Sequence, residues 1–196
     1  AESTEKEAPW WTGASDEQFL DSTQRQAFRY FWDYGEPNSG LARERFHPSG
    51  DYPQNDSHIV TTGGTGFGLM AILSGIERGY IIREQAVERF RQIVDFLENA
   101  DRFHGIWPHW LNGETGEVKP FSRKDDGADI VESAFLAQGL LCVRQYFRNG
   151  NETEQALAAD IDTLWREMNW NWHTKGENAL YWHWSPEYAF EKDLPI

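Results

Sequence analysis

Three carboxylates are spaced along the start of one apolar segment. In "SRKDDGADIVESAFLAQGLL" (122–141), Asp125, Asp129 and Glu132 lie four and then three residues apart. If the whole segment is helical, the three side chains share one face, because residues at these spacings are neighbours on a helix. In such a cluster, burial and like charge raise one pKa, while a helix end or nearby cations lower another. Two carboxyl groups whose pKa values are separated in this way can donate and accept protons at the same pH.

Helix capping is the alternative interpretation of these residues. Asp125 or Asp126 would make a good N-cap, and Asp129 would lie in the first turn, where the helix dipole favours negative charge. Glu132 is harder to explain as a cap, because it is predicted in the second turn among apolar neighbours, where an unpaired carboxylate is costly. The pattern leaves Asp125 ambiguous, assigns Asp126 to the cap and favours Asp129 and Glu132 for acid–base chemistry.

Aromatic residues are abundant in the predicted loops. Phe, Trp and Tyr make up 15% of a chain that is only 39% hydrophobic, with a mean hydropathy of −0.70. Amphipathic rings suit a wet recognition cleft such as a carbohydrate site, although each ring could instead fill a gap between helices. Arg43 could bind substrate or pair with a nearby glutamate. The candidate substrate-binding residues are Arg43, Trp107, His109, Trp110, Arg123, Trp182, Trp184 and Tyr188.

Composition and motifs argue against several classes of function. A net charge of −14 repels nucleic-acid phosphates and anionic lipid, and no window has the roughly 18 apolar residues of a membrane helix. No histidine spacing links a ligand pair on one helix, so neither a metal nor a cofactor is expected. "TTGGTGFG" (61–68) lacks the lysine of a phosphate loop, and Cys142 lies in an apolar segment that does not suit a nucleophile.

Hydrophobic periodicity predicts helices over 16–34, 66–79, 83–100, 126–148 and 152–169. The second and fourth are apolar nearly all round and the third and fifth are amphipathic, which favours an all-α fold of inner and outer helix pairs, as in an α/α toroid or solenoid. The long loops precede the inner helices, so they gather at the N-terminal ends of those helices. We expect a flexible tail over 1–14 and, over 15–196, the N-terminal part of a single domain.

With these residues in view, the sequence resembles the glycoamylase-like domain group, and most closely glycoside hydrolase family 144, the bacterial endo-β-1,2-glucanases. The resemblance lies in "FWDYGEPNSGLARERF", "TGGTGFGLMAILSGIERG", "GIWPHWLNGETGEV", "SRKDDGADIVESAFLAQGLL" and "LYWHWSPEYAFEKDLPI", which keep the family's order. It implies an (α/α)6 toroid of which this chain forms roughly the N-terminal half, and inverting hydrolysis of β-1,2-linked glucan.

The resemblance also places the family's acidic cluster at Asp125, Asp129 and Glu132, and a further family acid just beyond Ile196. The 196-residue chain alone is therefore expected to be inactive. Family members are typically exported, which implies a periplasmic or cell-surface location, and we expect a monomer. The alternative functions are a non-catalytic glycan-binding protein of helical-repeat type and an α-solenoid scaffold.

Overall fold

The computed structural model describes residues 10–196, so residues 1–9 of the predicted tail lie outside the described residues. A short 3-10 helix, Trp10–Gly13, is followed by five α-helices. These are α1 (Asp16–Trp32), α2 (Thr62–Glu77), α3 (Arg83–Asn99), α4 (Ile130–Phe147) and α5 (Glu152–Glu167). The predicted helical class is confirmed. Within residues 10–196, the helices are all too short or too polar to cross a membrane.

Two of the helices begin with reciprocal caps. The Ser15 side chain accepts a hydrogen bond from the backbone of Gln18, whose side chain accepts one from the Ser15 backbone. Asn151 and Glu154 form the same arrangement at the start of α5. Each pair satisfies two amides that the first turn would otherwise leave open, and so it fixes where the helix begins.

The glycine-rich segment forms the beginning of α2. The helix begins at Thr62, four residues before the predicted start, so "TGGTGFG" is its first two turns. A Cβ at Gly66 would lie 2.1 Å from the carbonyl oxygen of Phe135, and a Cβ at Gly139 would lie 2.4 Å from the carbonyl oxygen of Gly66. Only glycine permits this approach, and α2 and α4 therefore pack backbone against backbone.

The helices form two layers. α2 lies along α4, α3 packs on α5 and on α2, α5 packs on α4, and α1 covers part of α2. The buried core between the layers includes Leu69, Ile72, Phe90, Ile93, Leu97, Leu136, Val143, Phe147, Leu157 and Ile161. Because α2 and α4 are apolar on most faces, as the sequence predicts, both lie inside and the N-terminal ends of both are held in fixed positions.

Short strands, which the all-α prediction did not include, fasten the loops to these helix ends. β1 (Ile59–Thr61), β2 (Trp110–Asn112) and β3 (Val118–Lys119) form an antiparallel sheet in that order. Thr61 is opposite Trp110 in this sheet, directly before α2. β4 (Ala128–Asp129) pairs with β5 (His183–Trp184), placing Asp129 opposite His183.

The fourth helix begins later than predicted. It starts at Ile130 rather than at 126, because Ala128 and Asp129 are extended and paired with β5. Asp125 therefore lies in the preceding loop, and the prediction that all three carboxylates share one helical face is wrong. Glu132 is in the first turn of α4 rather than the second.

Candidate active site

Glu132 lies between the N-terminal ends of two helices. It belongs to the first turn of α4, and its Oε2 accepts a hydrogen bond of 3.1 Å from the backbone nitrogen of Gly63 in the first turn of α2. Burial raises the pKa of Glu132 above its ordinary value, as do the charges of Asp129 and Glu44, against the opposing effects of His109 and the Gly63 amide. The side chain is only half-buried. A carboxyl group in this position therefore keeps its proton to higher pH than an ordinary glutamate does.

Asp129 is the N-cap of α4. Its Oδ1 accepts hydrogen bonds from the backbone nitrogens of Val131 and Glu132, both at 3.0 Å, and from the indole nitrogen of Trp182 at 2.9 Å. The residue is fully buried. Asp129 therefore fixes the helix start that carries Glu132, and it has no exposed oxygen to offer a substrate. The interpretation that places it one turn deeper, with the cap at Asp126, is corrected.

Two histidines flank the second oxygen of Asp129. Nδ1 of His109 is 3.2 Å and Nδ1 of His183 is 3.5 Å from Oδ2. Although burial lowers the pKa of His109, the hydrogen bond to Asp129 and the negative charges of Glu132, Asp129 and Asp125 raise it above its ordinary value. His183 is buried, whereas the His109 side chain is 21% exposed. His109 is therefore the member of this pair that reaches the surface.

Asp125 is buried and held by two basic side chains. Its Oδ1 is 3.1 Å from Nδ1 of His183, and its Oδ2 accepts a hydrogen bond of 2.9 Å from Nζ of Lys192. Burial alone would raise the pKa of Asp125, but the contacts with His183 and Lys192 lower it below its ordinary value. Asp125 is therefore an anion at neutral pH, and its environment is opposite in effect to that of Glu132.

An aromatic wall stands beside the carboxylates. The ring of His109 stacks on Phe121 with centroids 4.3 Å apart and an interplanar angle of 24°, and Trp110 is tilted against the same ring at 4.8 Å. The indole nitrogen of Trp110 donates a hydrogen bond of 3.1 Å to Oε2 of Glu44. Phe121 is 48% exposed. These rings present apolar faces next to polar groups, as a sugar-binding surface requires.

Trp107 does not belong to this surface. It is fully buried, and its indole nitrogen donates a hydrogen bond of 3.2 Å to the carbonyl oxygen of Leu97. Its backbone nitrogen and oxygen are both bonded to the hydroxyl of Ser133 at 3.0 Å. The prediction that Trp107 binds substrate is therefore wrong, because no face of the ring is accessible. The ring fills the core behind the loop, which is the alternative that the sequence left open.

The other predicted residues divide between the site and its surroundings. The indole nitrogen of Trp182 donates a hydrogen bond to Asp129, while the ring of Trp184 packs against Phe103 and His104. The exposed Arg123 donates a hydrogen bond of 3.0 Å to the hydroxyl of Tyr188. Arg43 donates from Nε to the carbonyl oxygen of Tyr34 at 3.0 Å. No hydrogen bond or ion pair within residues 10–196 joins Arg43, Arg123 or Tyr188 to the three carboxylates.

One group of side chains has the ligand types of a metal site. Ligand atoms of His109, Asp125 and Asp129 lie within 4.8 Å of one another. The ammonium group of Lys192 is, however, 2.9 Å from Asp125, and His183, which is not in this group, lies 3.1 Å from Asp125 and 3.5 Å from Asp129. A cation in this position would have to displace these partners, so the donor set fits a hydrogen-bonded network better than a metal centre.

Several residues of the site were missed by sequence reasoning. Gly63 appeared only in a glycine-rich segment that lacks the lysine of a phosphate loop, and Lys192 lies in a motif of the family resemblance that assigned it no role. Phe121 and Glu44 lie in loops whose course the sequence does not predict. His183 offered the best signal, because it repeats the His-Trp pair found at His109, but the sequence gives no contact between it and a carboxylate.

Comparison with known proteins identifies hydrolytic relatives. The chain is 48% identical over 179 residues to an exo β-1,2-glucooligosaccharide sophorohydrolase of Parabacteroides distasonis, covering 90% of this chain and 24% of the relative. It is 59% identical to an endo-β-1,2-glucanase from Chitinophaga pinensis, solved with sophorotriose and glucose, with a TM-score of 0.92 over 94% of this chain and 44% of the other.

A solved β-1,2-glucanase from Parabacteroides distasonis is 45% identical, with a TM-score of 0.86 over 93% of this chain and 26% of the other. The chain thus spans less than half the length of each of these relatives. No protein-family model matches it. The chain therefore shares its fold with the matching part of these solved structures.

Proposed function

We propose, since this chain belongs to the glycoamylase-like group close to glycoside hydrolase family 144, that it forms part of an inverting hydrolase of β-1,2-linked glucan. The observation that carries the proposal is Glu132, a half-buried carboxyl group with a raised pKa at the meeting point of two helix ends. Glycosidic bond cleavage requires such a group, because the leaving oxygen must receive a proton as the bond breaks.

In this mechanism Glu132 is the proton-transferring residue. As general acid it gives its proton to the glycosidic oxygen while the bond from that oxygen to the anomeric carbon breaks. Water forms the new bond to the same carbon from the opposite face and loses a proton to a carboxylate base. The base of an inverting enzyme lies about 6.5–9.5 Å from the acid. We assign the base to the remainder of the protein, where the resemblance implies a further acid.

Asp129 and Asp125 are positioning residues in this proposal. Asp129 holds the backbone of Glu132 and the indole of Trp182, so the geometry of the acid depends on it. Asp125 holds His183, which also faces Asp129. Both are buried, so they act by orienting other groups and by keeping negative charge near Glu132.

Glucosyl units bind against the aromatic wall of His109, Trp110 and Phe121. The partly exposed rings offer apolar faces for stacking, and the imidazole of His109 offers a ring nitrogen for a sugar hydroxyl. Trp182 extends this surface on the other side of Asp129. The hydrogen-bonded side chains of Arg123 and Tyr188, of which Arg123 is exposed, are available to a longer glucan.

The finer architecture is also part of the proposal. The two-layer helical arrangement is completed to an (α/α)6 toroid by helices that this chain does not supply. Phe67 and Phe135 lie on α2 and α4 in ring contact with each other, and both are exposed, at 58% and 40%. An apolar face of this kind is covered in the whole protein, and further inner helices packed beside α2 and α4 would cover it.

The test uses the whole protein that carries this chain. It is incubated with β-1,2-glucan and with β-1,3-, β-1,4- and α-1,4-glucans, and new reducing ends are measured while NMR records the anomer released first. We expect turnover of β-1,2-glucan with inversion, and its loss in Glu132→Gln. Binding without turnover would favour a glycan-binding protein, and release of the retained anomer would contradict the mechanism.

A further inference from the structure

A second group of aromatic side chains surrounds Trp172. Trp172, in the 3-10 helix Trp170–Thr174, is 41% exposed. One face of its ring stacks on the imidazole of His104, with centroids 3.8 Å apart and an interplanar angle of 18°, and Trp184 meets it edge-on at 6.3 Å. Within the described residues, no hydrogen bond, ion pair or ring contact joins Trp172 or His104 to Asp125, Asp129 or Glu132. We call Trp172 and His104 the outer platform.

The outer platform borders a cavity of about 550 Å³. The cavity is lined by Asn169, Asn171, Trp172, Lys175, Gly176 and Phe190. A volume of this size lies in the range of small-ligand sites, which combine apolar walls with a few polar groups. Here the polar groups are two amides and one ammonium group, and the apolar walls are two aromatic rings.

The walls of the cavity are fixed before any ligand binds. The side chain of Asn169 accepts a hydrogen bond of 3.1 Å from the backbone of Trp172. Lys175 is paired with Asp193 at 2.8 Å, and its ammonium lies 3.8 Å from the ring centroid of Tyr181. A preformed site loses little conformational freedom on binding, so weak contacts in it can yield measurable affinity.

Phe190 closes the opposite wall. Its ring meets those of His173 and Tyr181 at steep angles, with centroids 5.9 and 6.1 Å away. His173 is fully buried, and burial lowers its pKa to about 4, so it is a neutral packing group at pH 7. The wall is therefore apolar and uncharged where it faces the cavity.

One polar side chain of the cavity, the amide of Asn171, has no protein partner within the described residues. Asn171 is exposed, and within the part of the chain that the structure describes its side-chain amide bonds to no other protein group, so its two donors and two acceptor positions are available to a ligand in exchange for solvent. A ring face beside a free amide and an ammonium group is the chemistry that recognises a pyranose, because the apolar face of the sugar stacks while its hydroxyls bond to the edges.

We propose that the outer platform and its cavity form a second saccharide-binding site, which holds a glucosyl unit of the glucan outside the catalytic cleft. The ligand class rests on the proposed function, whereas the site itself rests on Trp172, His104 and Asn171. A glucan bound there is retained near the cleft between cleavage events, which raises its effective concentration at Glu132.

The test measures sugar binding in the whole protein carrying Glu132→Gln, which prevents turnover. Sophorotriose and a long β-1,2-glucan are titrated by calorimetry against this protein and against the same protein with Trp172→Ala or Asn171→Ala. Trp11→Ala is the matched control, because Trp11 is also an exposed tryptophan, at 52%.

We expect Trp172→Ala to abolish one class of sites for sophorotriose and to weaken binding of the long glucan about tenfold, the equivalent of one lost stacking contact. Asn171→Ala weakens the same class, and Trp11→Ala changes neither. In the protein with Glu132 intact, Trp172→Ala leaves kcat on sophorotriose unchanged and raises KM for the long glucan.

Unchanged stoichiometry and affinity in Trp172→Ala would overturn the second site while leaving the catalytic proposal intact. If the unmodified protein neither binds nor cleaves any β-1,2-glucan, the proposed function fails instead. In that case a Trp172-dependent site for another saccharide, detected with the same variants and a panel of glucans, would still support a platform for sugars.

Discussion

Oε2 of Glu132 lies 3.1 Å from the backbone nitrogen of Gly63, so a side chain on α4 accepts a hydrogen bond from the first turn of α2. Thr61, the N-cap of α2, makes no side-chain cap bond there. Glu132 therefore satisfies an amide that the helix itself leaves open, and the two buried helices are joined through the residue that we propose to be catalytic. The absence of a side chain at position 63 is a requirement of this arrangement.

Gly63→Ala tests that requirement. A Cβ at this position would lie 2.1 Å from Oε2 of Glu132 and 2.9 Å from its Cδ, so the carboxyl group must move. A displacement of about 1 Å at a reacting group can lower turnover about 100-fold. We expect kcat on β-1,2-glucan to fall by that order. Gly13→Ala is the control, because a Cβ there meets no atom within 4 Å, and equal activity in the two variants would contradict the model.

Glu132→Gln removes the proton itself. We expect kcat to fall by about 10²–10⁴, the usual contribution of a positioned acid or base, with little change in affinity for sophorotriose. Glu114→Gln is the control, because Glu114 is exposed and outside the site. Full activity of Glu132→Gln would remove this residue from the mechanism.

His109→Asn changes the pH dependence in a defined direction. The charge of His109 lowers the pKa of Glu132, against the larger effect of burial. When that cation is removed, Glu132 keeps its proton to higher pH, and activity that needs the protonated acid extends further into the alkaline range. The measurement is kcat/KM against pH, with His58→Asn as the control. An alkaline limb that stays in place, or moves to lower pH, would contradict the assigned electrostatics.

The contribution of Asp125 to the free energy of unfolding depends on pH. Its pKa in the folded protein is lowered from 3.8, so its stabilisation is complete above that value and is lost as the pH falls through the lower folded value. The free energy of unfolding should exceed that of Asp125→Asn near pH 7, and the difference should shrink as the pH falls below about 4. In a Lys192→Met background, the loss of unfolding free energy caused by Asp125→Asn should be smaller at neutral pH. In a background carrying the exposed Glu187→Gln, that loss should be unchanged.

The helices could be predicted because their signals are local. Apolar periodicity and the capping residues Ser15 and Asn151 are contained within each segment. The start of α4 could not be predicted, because it depends on pairing of Asp129 with His183, which are far apart in sequence. Several aspartates in "SRKDDGAD" suit a cap equally well, and only this long-range pairing selects Asp129.

The candidate site was predicted only in part, because some of its residues have a local signal in the sequence and others do not. Glu132 could be singled out because an acid in an apolar helical segment needs an explanation. The sequence could not separate the buried Trp107 from the partly exposed Trp110, since both lie in one predicted loop and have the same side chain. Burial is decided by the packing of distant helices and has no local signature in such a loop.

Trp107 and Trp110 should therefore respond to mutation in opposite ways. Trp107→Phe removes the donor to the carbonyl oxygen of Leu97 and leaves that buried acceptor unpaired, which costs about 1–3 kcal/mol of unfolding free energy. Its KM for glucan should stay unchanged. Trp110→Phe frees Glu44 and removes part of the aromatic wall, so KM should rise with little loss of stability. Chemical denaturation measures the change in stability, and initial rates measure the change in KM. A raised KM with unchanged stability in Trp107→Phe would show that Trp107 binds substrate after all.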